Sequence, residues 1–238
     1  MSIPLVAASH GTHAEEARQA ITALVDAVRA AAPHVDVHEA FVDVQDPRVR
    51  DVVARIAEPA VVVPLLLAPG FHVHVDIAEA SAGPDQVAAR TLGPDRRLTD
   101  VLLKRLAAAG ATRDDVVVLG GAGSTDEAAL RSVDAAARLL GAAWGAPIRV
   151  GHVGGSSNPI GDVVREVARS GRRVVVASYL MAPGHFHDRM TSCGADVVTR
   201  PLLDGSVAET DLVSLVIDRY AEAADLLDRA HRARERWM

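Results

Sequence analysis

The chain has 238 residues, 49% of them apolar but only 3% aromatic, and a formal net charge of −6. It can therefore bury a core, and it carries no basic run of the kind that follows nucleic-acid phosphates. A single cysteine, Cys193, excludes an internal disulfide and a cysteine cage for zinc or an iron–sulfur cluster. The longest apolar runs have the length of strands rather than of membrane spans, and the N-terminus lacks a secretory pattern. We therefore expect a cytoplasmic protein that contacts neither nucleic acid nor membrane.

Short aliphatic runs alternate with alanine-rich stretches along the whole chain. In chain order, the predicted strands are 3–9, 35–42, 59–67, 87–91, 115–120, 147–153, 172–181 and 195–199. The predicted helices are 13–32, 47–57, 73–82, 96–109, 124–143, 160–170, 185–193 and 207–233. This alternation is typical of βαβ units and predicts an α/β fold with parallel sheets. Because the strands are continuously apolar, we expect both faces of each sheet to be buried.

Two stretches of the first half return about 110 residues later. The strand that leads to His10 matches a later strand in which Ala122 takes the place of the histidine. The strand that leads to His72 matches one that leads to Phe186. The first copy thus keeps two imidazoles that the second copy has lost, which predicts a single active site built mainly by the first half of the chain.

The repeat also predicts how the chain divides. We expect an N-terminal lobe over 1–111, which carries the active-site histidines, and a degenerate C-terminal lobe over 112–238. Each lobe would hold about four parallel strands flanked by helices. Since no low-complexity linker separates the halves, the lobes should pack tightly, with a cleft between them.

The first candidate site residue is His10, which follows a strand and precedes a predicted helix. The carboxyl ends of parallel strands are where open α/β sheets bind ligands. Gly11 would let the backbone approach a ligand, and Thr12 lies where free helix N–H groups can bind an anion. Taken alone, His10 fits equally well as a strand-end histidine satisfied by local hydrogen bonds.

A second cluster follows the third strand, where His72, His74 and Asp76 leave it through a Pro-Gly pair. The two imidazoles point the same way in an extended segment and diverge if a helix begins at once, in which case His74 becomes a surface helix residue. A neutral imidazole binds iron, cobalt, nickel or zinc, and it can accept a proton near neutral pH. Asp43, at the end of the second strand, would face the same crevice.

Three short motifs lie in this order: a strand followed by His-Gly-Thr, a strand ending in Phe-x-Asp before a Pro-led helix, and a strand followed by Pro-Gly-x-His-x-x-x-Asp-Ile. Together they resemble the sirohydrochlorin chelatases, which are class II chelatases related to protoporphyrin ferrochelatase and to the anaerobic cobalt chelatase. The resemblance covers nearly the whole chain and is to the two-copy, fused form of that family. It implies a lyase that inserts a divalent metal into a tetrapyrrole in siroheme or cobalamin biosynthesis.

The resemblance also implies roles for individual residues. His10 and His72 match the metal-binding, proton-accepting histidines, and Asp43 matches an acid that is commonly glutamate in the family. Asp76 matches the acid that orients the second histidine, and His74 is an additional candidate ligand. The substrate carboxylates are expected to bind near Gly11 and Thr12.

The implied partners are sirohydrochlorin and a divalent ion, with Fe²⁺ favoured over Co²⁺. The metal is a substrate, so no permanently bound cofactor is expected, and the fused chain should be a monomer. Two other functions stay open. One is a metal or tetrapyrrole carrier without turnover. The other is a phosphohistidine-type phosphatase or mutase, although Ser9 stands where that chemistry needs an arginine. Whether His185 or His187 takes part is also left open.

Overall fold

The computed structural model describes residues 2–56, 59–70, 73–155, 157–204 and 210–235, and the side chains of 73, 74 and 235 are not described. The first half contains β1 (Leu5–Ser9), α1 (Glu15–Ala31), β2 (Val37–Phe41), α2 (Val49–Arg55), β3 (Ala60–Pro64), a π-helical turn (Val73–Ile77), α3 (Ala78–Ala80), β4 (Gln86–Ala88) and α4 (Arg96–Ala108). The second half contains β5 (Val116–Gly121), α5 (Glu127–Trp144), β6 (Arg149–His152), α6 (Ile160–Val167), a 3₁₀ turn (Ala168–Ser170), β7 (Val174–Tyr179), α7 (His185–Thr191), β8 (Val197–Val198) and α8 (Thr210–Glu235).

These strands form two four-stranded sheets with the same topology. Their orders are β2-β1-β3-β4 and β6-β5-β7-β8, and all strand pairs are parallel. The predicted α/β class, with about four strands in each half, is therefore confirmed. Every residue of β1, β3 and β7 is buried, as continuously apolar strands require. The strand order changes direction between β1 and β3 in the first sheet and between β5 and β7 in the second. The carboxyl ends of these strands flank the switch point, which is where such sheets bind ligands.

The last helix of each half packs against the sheet of the other half. Helix α8 contacts β3, β4 and α4, while α4 contacts β7 and α5. One large hydrophobic cluster consequently contains buried residues from both halves, including Leu106 of α4 and Val216 of α8. The lobe limits of 1–111 and 112–238 remain a prediction about the sequence repeat. The repeat alone does not predict that α4 and α8 each pack against the sheet of the other half.

A buried arginine fixes α8 to the first half. The Arg219 side chain is 1% exposed. Its Nε donates to the Thr91 carbonyl over 3.0 Å, and its Nη2 donates to the Leu92 carbonyl over 3.1 Å and to Asp95 Oδ2 over 3.0 Å. The guanidinium therefore satisfies two carbonyls of the loop after β4 and pairs with a carboxylate there.

A second arginine makes the corresponding contacts in the opposite direction. Arg105 of α4 donates from Nε to the Pro201 carbonyl over 3.0 Å and from Nη2 to the Leu202 carbonyl over 2.8 Å. Its Nη1 lies 2.9 Å from Asp204 Oδ2. The two halves are thus joined by a pair of equivalent clamps, each running from a helix of one half to the loop after the last strand of the other.

Helix α8 is 26 residues long and is held along its length by polar contacts. Tyr220 donates from Oη to the Ile3 carbonyl over 2.6 Å, and Asp211 pairs with Lys104 over 2.8 Å. Across the ranges that the structure describes, no helix is long and apolar enough to cross a membrane.

Candidate active site

A cleft of about 370 Å³ lies between the carboxyl ends of the two sheets. The first half contributes His10 after β1 and Gly70 after β3, and the second half contributes Ala122 after β5 and Phe186 after β7. Most of the remaining lining is apolar: Leu65, Leu66, Leu67, Ala68, Leu130, Val133, Leu180 and Met181. This is the position where parallel α/β sheets bind ligands, and it contains one of the two predicted histidines.

His10 stands exposed at the end of β1. Its Nδ1 lies 3.2 Å from the Gly11 carbonyl oxygen. In the tautomer that donates this hydrogen bond from Nδ1, the lone pair is on Nε2, which is the form that binds a metal or accepts a proton.

Gly11 brings the loop after β1 against the loop after β2. Its φ is +88°, and a Cβ on this residue would lie 2.2 Å from the Asp43 carbonyl oxygen. The Asp43 N–H donates to the His10 carbonyl over 2.9 Å, and the Thr12 N–H donates to Gln45 Oε1 over 2.8 Å. Only glycine permits this approach, and the approach places Asp43 beside His10.

Asp43 carries a negative charge next to His10. Arg48 donates from Nη1 to Asp43 Oδ1 over 3.0 Å, and this bond, with a further one from the Val44 backbone, lowers the pKa of Asp43. The nearby His10 lowers the same pKa through its charge. Arg48 thus holds the Asp43 side chain, which is shorter than that of glutamate, at the edge of the site.

The proposed carboxylate-binding segment is already hydrogen-bonded within the protein. The Thr12 N–H donates to Gln45, and Thr12 Oγ1 accepts from the Ala14 N–H over 3.1 Å. The first turn of α1 carries Glu15 and Glu16, which repel an anion at this helix end. Substrate binding at Gly11 and Thr12 stays a prediction that requires the Thr12 amide to change partners.

The other candidate ligands lie after β3. His72 is outside the described residues. His74 and Asp76 belong to the π-helical turn Val73–Ile77, so a helix-like backbone begins directly after the predicted histidine position. Within the described ranges, His, Cys, Asp and Glu side chains form no group of three or more that could hold a metal. The predicted ligand set includes His72 and therefore stays a prediction.

The second half repeats the site backbone but not its side chains. The Gly154 N–H donates to the Ala122 carbonyl over 2.8 Å, just as Asp43 donates to His10. Gly123 repeats the positive φ of Gly11 at +93°, and a Cβ there would lie 1.9 Å from the Gly154 carbonyl oxygen. Gly154 therefore occupies the backbone position of Asp43. The sequence repeat marks the two histidine losses but not this third one, which the matching hydrogen bonds of the two loops reveal.

The comparison with known protein families matches two long segments. The CbiX family model matches residues 4–109 and 116–200, which together make up most of the chain. The chain belongs to the CbiX family. Membership confirms the resemblance to the sirohydrochlorin chelatases and supports the predicted class of activity, a metal chelatase.

Solved structures with the CbiX-family fold cover nearly the whole chain. SirB from Bacillus subtilis with Fe³⁺ is 20% identical and has a TM-score of 0.76, and the match covers 94% of this chain and 96% of that one. SirB from Bacillus subtilis subspecies spizizenii in complex with cobalt is 20% identical with a TM-score of 0.73 over the same shares. CbiX, the terminal enzyme of siroheme biosynthesis in denitrifying bacteria, is 16% identical with a TM-score of 0.66, covering 90% of this chain and 98% of its own. No curated protein sequence matches the chain.

His152, at the end of β6, is a buried residue of the cleft in this CbiX-family protein, and it is not among the site residues predicted from the sequence. It pairs with Gly121 at the position where Phe41 pairs with Ser9 in the first sheet. The side chain is 4% exposed, and among the described residues its Nδ1 has no hydrogen-bond partner. Burial lowers the pKa of His152, because a charged imidazole would be desolvated there.

Replacing His152 with phenylalanine, the residue of the first copy, is expected to reduce the loss of stability in mild acid. The unfolded chain binds a proton on His152 near its ordinary pKa of 6.5, whereas the folded chain binds it only at lower pH. Stability is therefore fully present above about pH 6.5 and falls as the pH drops below that value. Urea unfolding at pH 7 and pH 5 measures the difference, and the same change at exposed His34 is the control. An unaltered pH dependence in His152→Phe would contradict the assignment.

Replacing Gly11 with alanine is expected to lower metal insertion by about 10–100-fold, because small displacements at a site cost rate steeply. The added Cβ would meet the Asp43 carbonyl and separate the two loops. Gly171→Ala is a matched control, since Gly171 also has a positive φ, +71°, but has nothing within 4 Å of its Cβ position. Both variants carry the strain of about 1–2 kcal/mol of a left-handed residue. Equal activities of the two variants would show that the Gly11–Asp43 approach is not needed.

Proposed function

We propose that this protein is a sirohydrochlorin chelatase that inserts Fe²⁺, or alternatively Co²⁺, into sirohydrochlorin. It would act as a cytoplasmic monomer in siroheme biosynthesis, or in cobalamin biosynthesis if cobalt is the metal. The observation that carries the proposal is the asymmetry of the two halves. Two equivalent backbone sites lie at one cleft, which His10 and Ala122 line. Beside them, the first half keeps Asp43 where the second has Gly154.

The chemistry requires a metal ligand and a proton acceptor in the same place. Insertion of a divalent ion removes two pyrrole N–H protons and strips water from the ion. In the proposed mechanism His10 and His72 hold the ion through neutral imidazole nitrogens and, once the ion has passed to the macrocycle, accept the released protons on the nitrogens it has left. Asp43, ionised beside His10, adds negative charge that stabilises a bound cation or an imidazolium. Asp76 is proposed to orient His72, and His74 is an additional ligand.

The functional test is anaerobic. Purified protein is mixed with sirohydrochlorin, and the absorption spectrum is followed after addition of Fe²⁺ or, separately, Co²⁺. A spectral change over many turnovers, faster than without protein, is the expected result, and the faster metal assigns the pathway. A change limited to one equivalent of protein would instead support a carrier. No change, combined with metal-free hydrolysis of a phosphate ester, would support the phosphohistidine alternative.

His72 can be tested in the same assay. His72→Ala is expected to abolish insertion because it removes a proposed ligand and proton acceptor together, whereas His74→Ala and His187→Ala are expected to retain much of it. His187 Nε2 lies 3.1 Å from the Thr199 carbonyl oxygen, within the second half. Full activity of His72→Ala would remove that residue from the proposed site.

A further inference from the structure

The second-half counterpart of the proposed metal site has become an aromatic surface. A Cβ on Gly154 would lie 3.6 Å from Phe186 Cε1, so the Phe186 ring lies against the backbone position that Asp43 occupies in the first half. Ala122, which replaces the other histidine, lines the same cleft. The three positions that are polar in the first half are therefore occupied by a methyl group, a bare backbone and a phenyl ring.

The Phe186 ring is available to a ligand. It is 45% exposed, and within the described part of the chain it is one of only two large apolar side chains classed as exposed, the other being Leu226 of α8. The His185 ring contacts it edge-on, with centroids 5.8 Å apart and planes at 73°. Whichever ring presents its edge, a T-shaped contact leaves at least one face of the Phe186 ring uncovered by His185. Apolar side chains gathered in a cleft, as here around Phe186, are typical of a ligand-binding groove.

The loop that carries Phe186 approaches the loop of His10. A Cβ on Gly184, whose φ is +140°, would lie 3.6 Å from Ala14 Cβ and 3.9 Å from Thr12 Oγ1. The two loops thus meet across the halves, and both His10 and Phe186 line the same cleft of about 370 Å³. A ligand that binds in this cleft can therefore contact His10 and the Phe186 ring together.

Resting on the proposed function, we infer that Phe186 is a substrate-positioning residue on which the flat, conjugated macrocycle of the metal-free tetrapyrrole stacks. Leu180 and Met181 extend the apolar surface around it. The degenerate half then contributes binding of the macrocycle, while the first half contributes metal binding and proton transfer. Stacking is tolerant of ring identity, so tryptophan should replace phenylalanine but alanine should not.

The test measures binding of metal-free sirohydrochlorin by its own fluorescence, and separately binding of Co²⁺ alone by calorimetry. Phe186→Ala is expected to raise the Kd and the KM for the macrocycle about tenfold, as loss of one stacking ring does, with little change in kcat. Its Co²⁺ affinity should equal that of the unmodified protein. Phe186→Trp should stay within about twofold in all three quantities. Leu226→Ala, which removes the other exposed large apolar side chain far along the chain, should change none of them.

Unchanged macrocycle affinity in Phe186→Ala would overturn the inference, and so would an equal loss in Leu226→Ala. In either case a protein that still metallates sirohydrochlorin leaves the proposed function standing. If the unmodified protein neither binds nor metallates sirohydrochlorin, the proposed function fails and this inference fails with it.

Discussion

Replacing His10 with alanine is expected to lower the rate of metal insertion by about 10²–10⁴-fold, the usual contribution of a positioned proton-transfer group. The variant loses a proposed metal ligand and a proposed proton acceptor, while the backbone that holds the loop is unchanged. The hydrogen bond from the Asp43 N–H to the residue-10 carbonyl does not involve the imidazole. The fold should therefore persist, and circular dichroism with the anaerobic spectral assay measures both properties on one preparation.

His13→Ala is the matched control for this experiment. His13 is an exposed histidine three positions further along the same loop, so the change removes an equal imidazole without touching the strand end. It should retain the activity of the unmodified protein within about twofold. A His10→Ala variant that inserts metal as fast as His13→Ala would exclude His10 from the reaction.

Replacing Arg219 with alanine is expected to lower the free energy of unfolding by about 2–6 kcal/mol, because two buried carbonyls lose their donor at about 1–3 kcal/mol each. The Thr91 and Leu92 carbonyls would lose their Arg219 donor within the interface between the halves. Asp95 Oδ2 would lose one donor but keep Arg97 Nη2, which lies 3.2 Å away. Burial acts to raise the pKa of Asp95, but bonds from Arg97 and Arg219 outweigh it and hold that pKa below its ordinary value. The variant thus leaves two interface carbonyls without this donor, and urea unfolding at pH 7 measures the loss.

Arg229 provides a control on the same helix. It pairs with Asp225 over 3.4 Å, but both side chains are largely exposed, at 69% and 73%. Exposed i,i+4 pairs contribute about 0.3–0.5 kcal/mol, so Arg229→Ala should change stability by no more than that. Comparable losses in the two variants would mean that α8 is stabilised by helix propensity and not by the clamp. Arg105→Ala, at the equivalent clamp, should resemble Arg219→Ala with a smaller loss, because Arg105 is 11% exposed.

The sequence was sufficient to predict the secondary structure because that information is local. Continuous aliphatic runs such as the one that forms β3 specify strands buried on both faces, and the alanine-rich stretches between them specify helices. The largest departure is at 73–82, where a π-helical turn precedes a short α-helix instead of one continuous helix. The two four-stranded sheets follow from the repeat, since similar sequences form similar units.

The candidate site was predictable in part for the same reason. Parallel strands of one sheet end at one edge, so a histidine after β1 and an aspartate after β2 must come close. The repeat offset identified the loss of His10 as Ala122. The corresponding loss of Asp43 as Gly154 needed the hydrogen bonds of the two loops, because no side-chain motif marks a position that has become glycine.

By itself, the sequence determined the βαβ order, the duplication and which half retained imidazoles, since each of these can be recognised from short contiguous stretches and their comparison. Only the tertiary structure decided that α4 and α8 each pack against the sheet of the other half. It also decided that Arg105 and Arg219 each bind a loop of the other half, and that the loop of Phe186 contacts the loop of His10. Those contacts join residues roughly a hundred or more positions apart, and they form because a shared apolar core buries more surface than two separate ones. No local pattern encodes such a choice, because it depends on the summed burial of both halves.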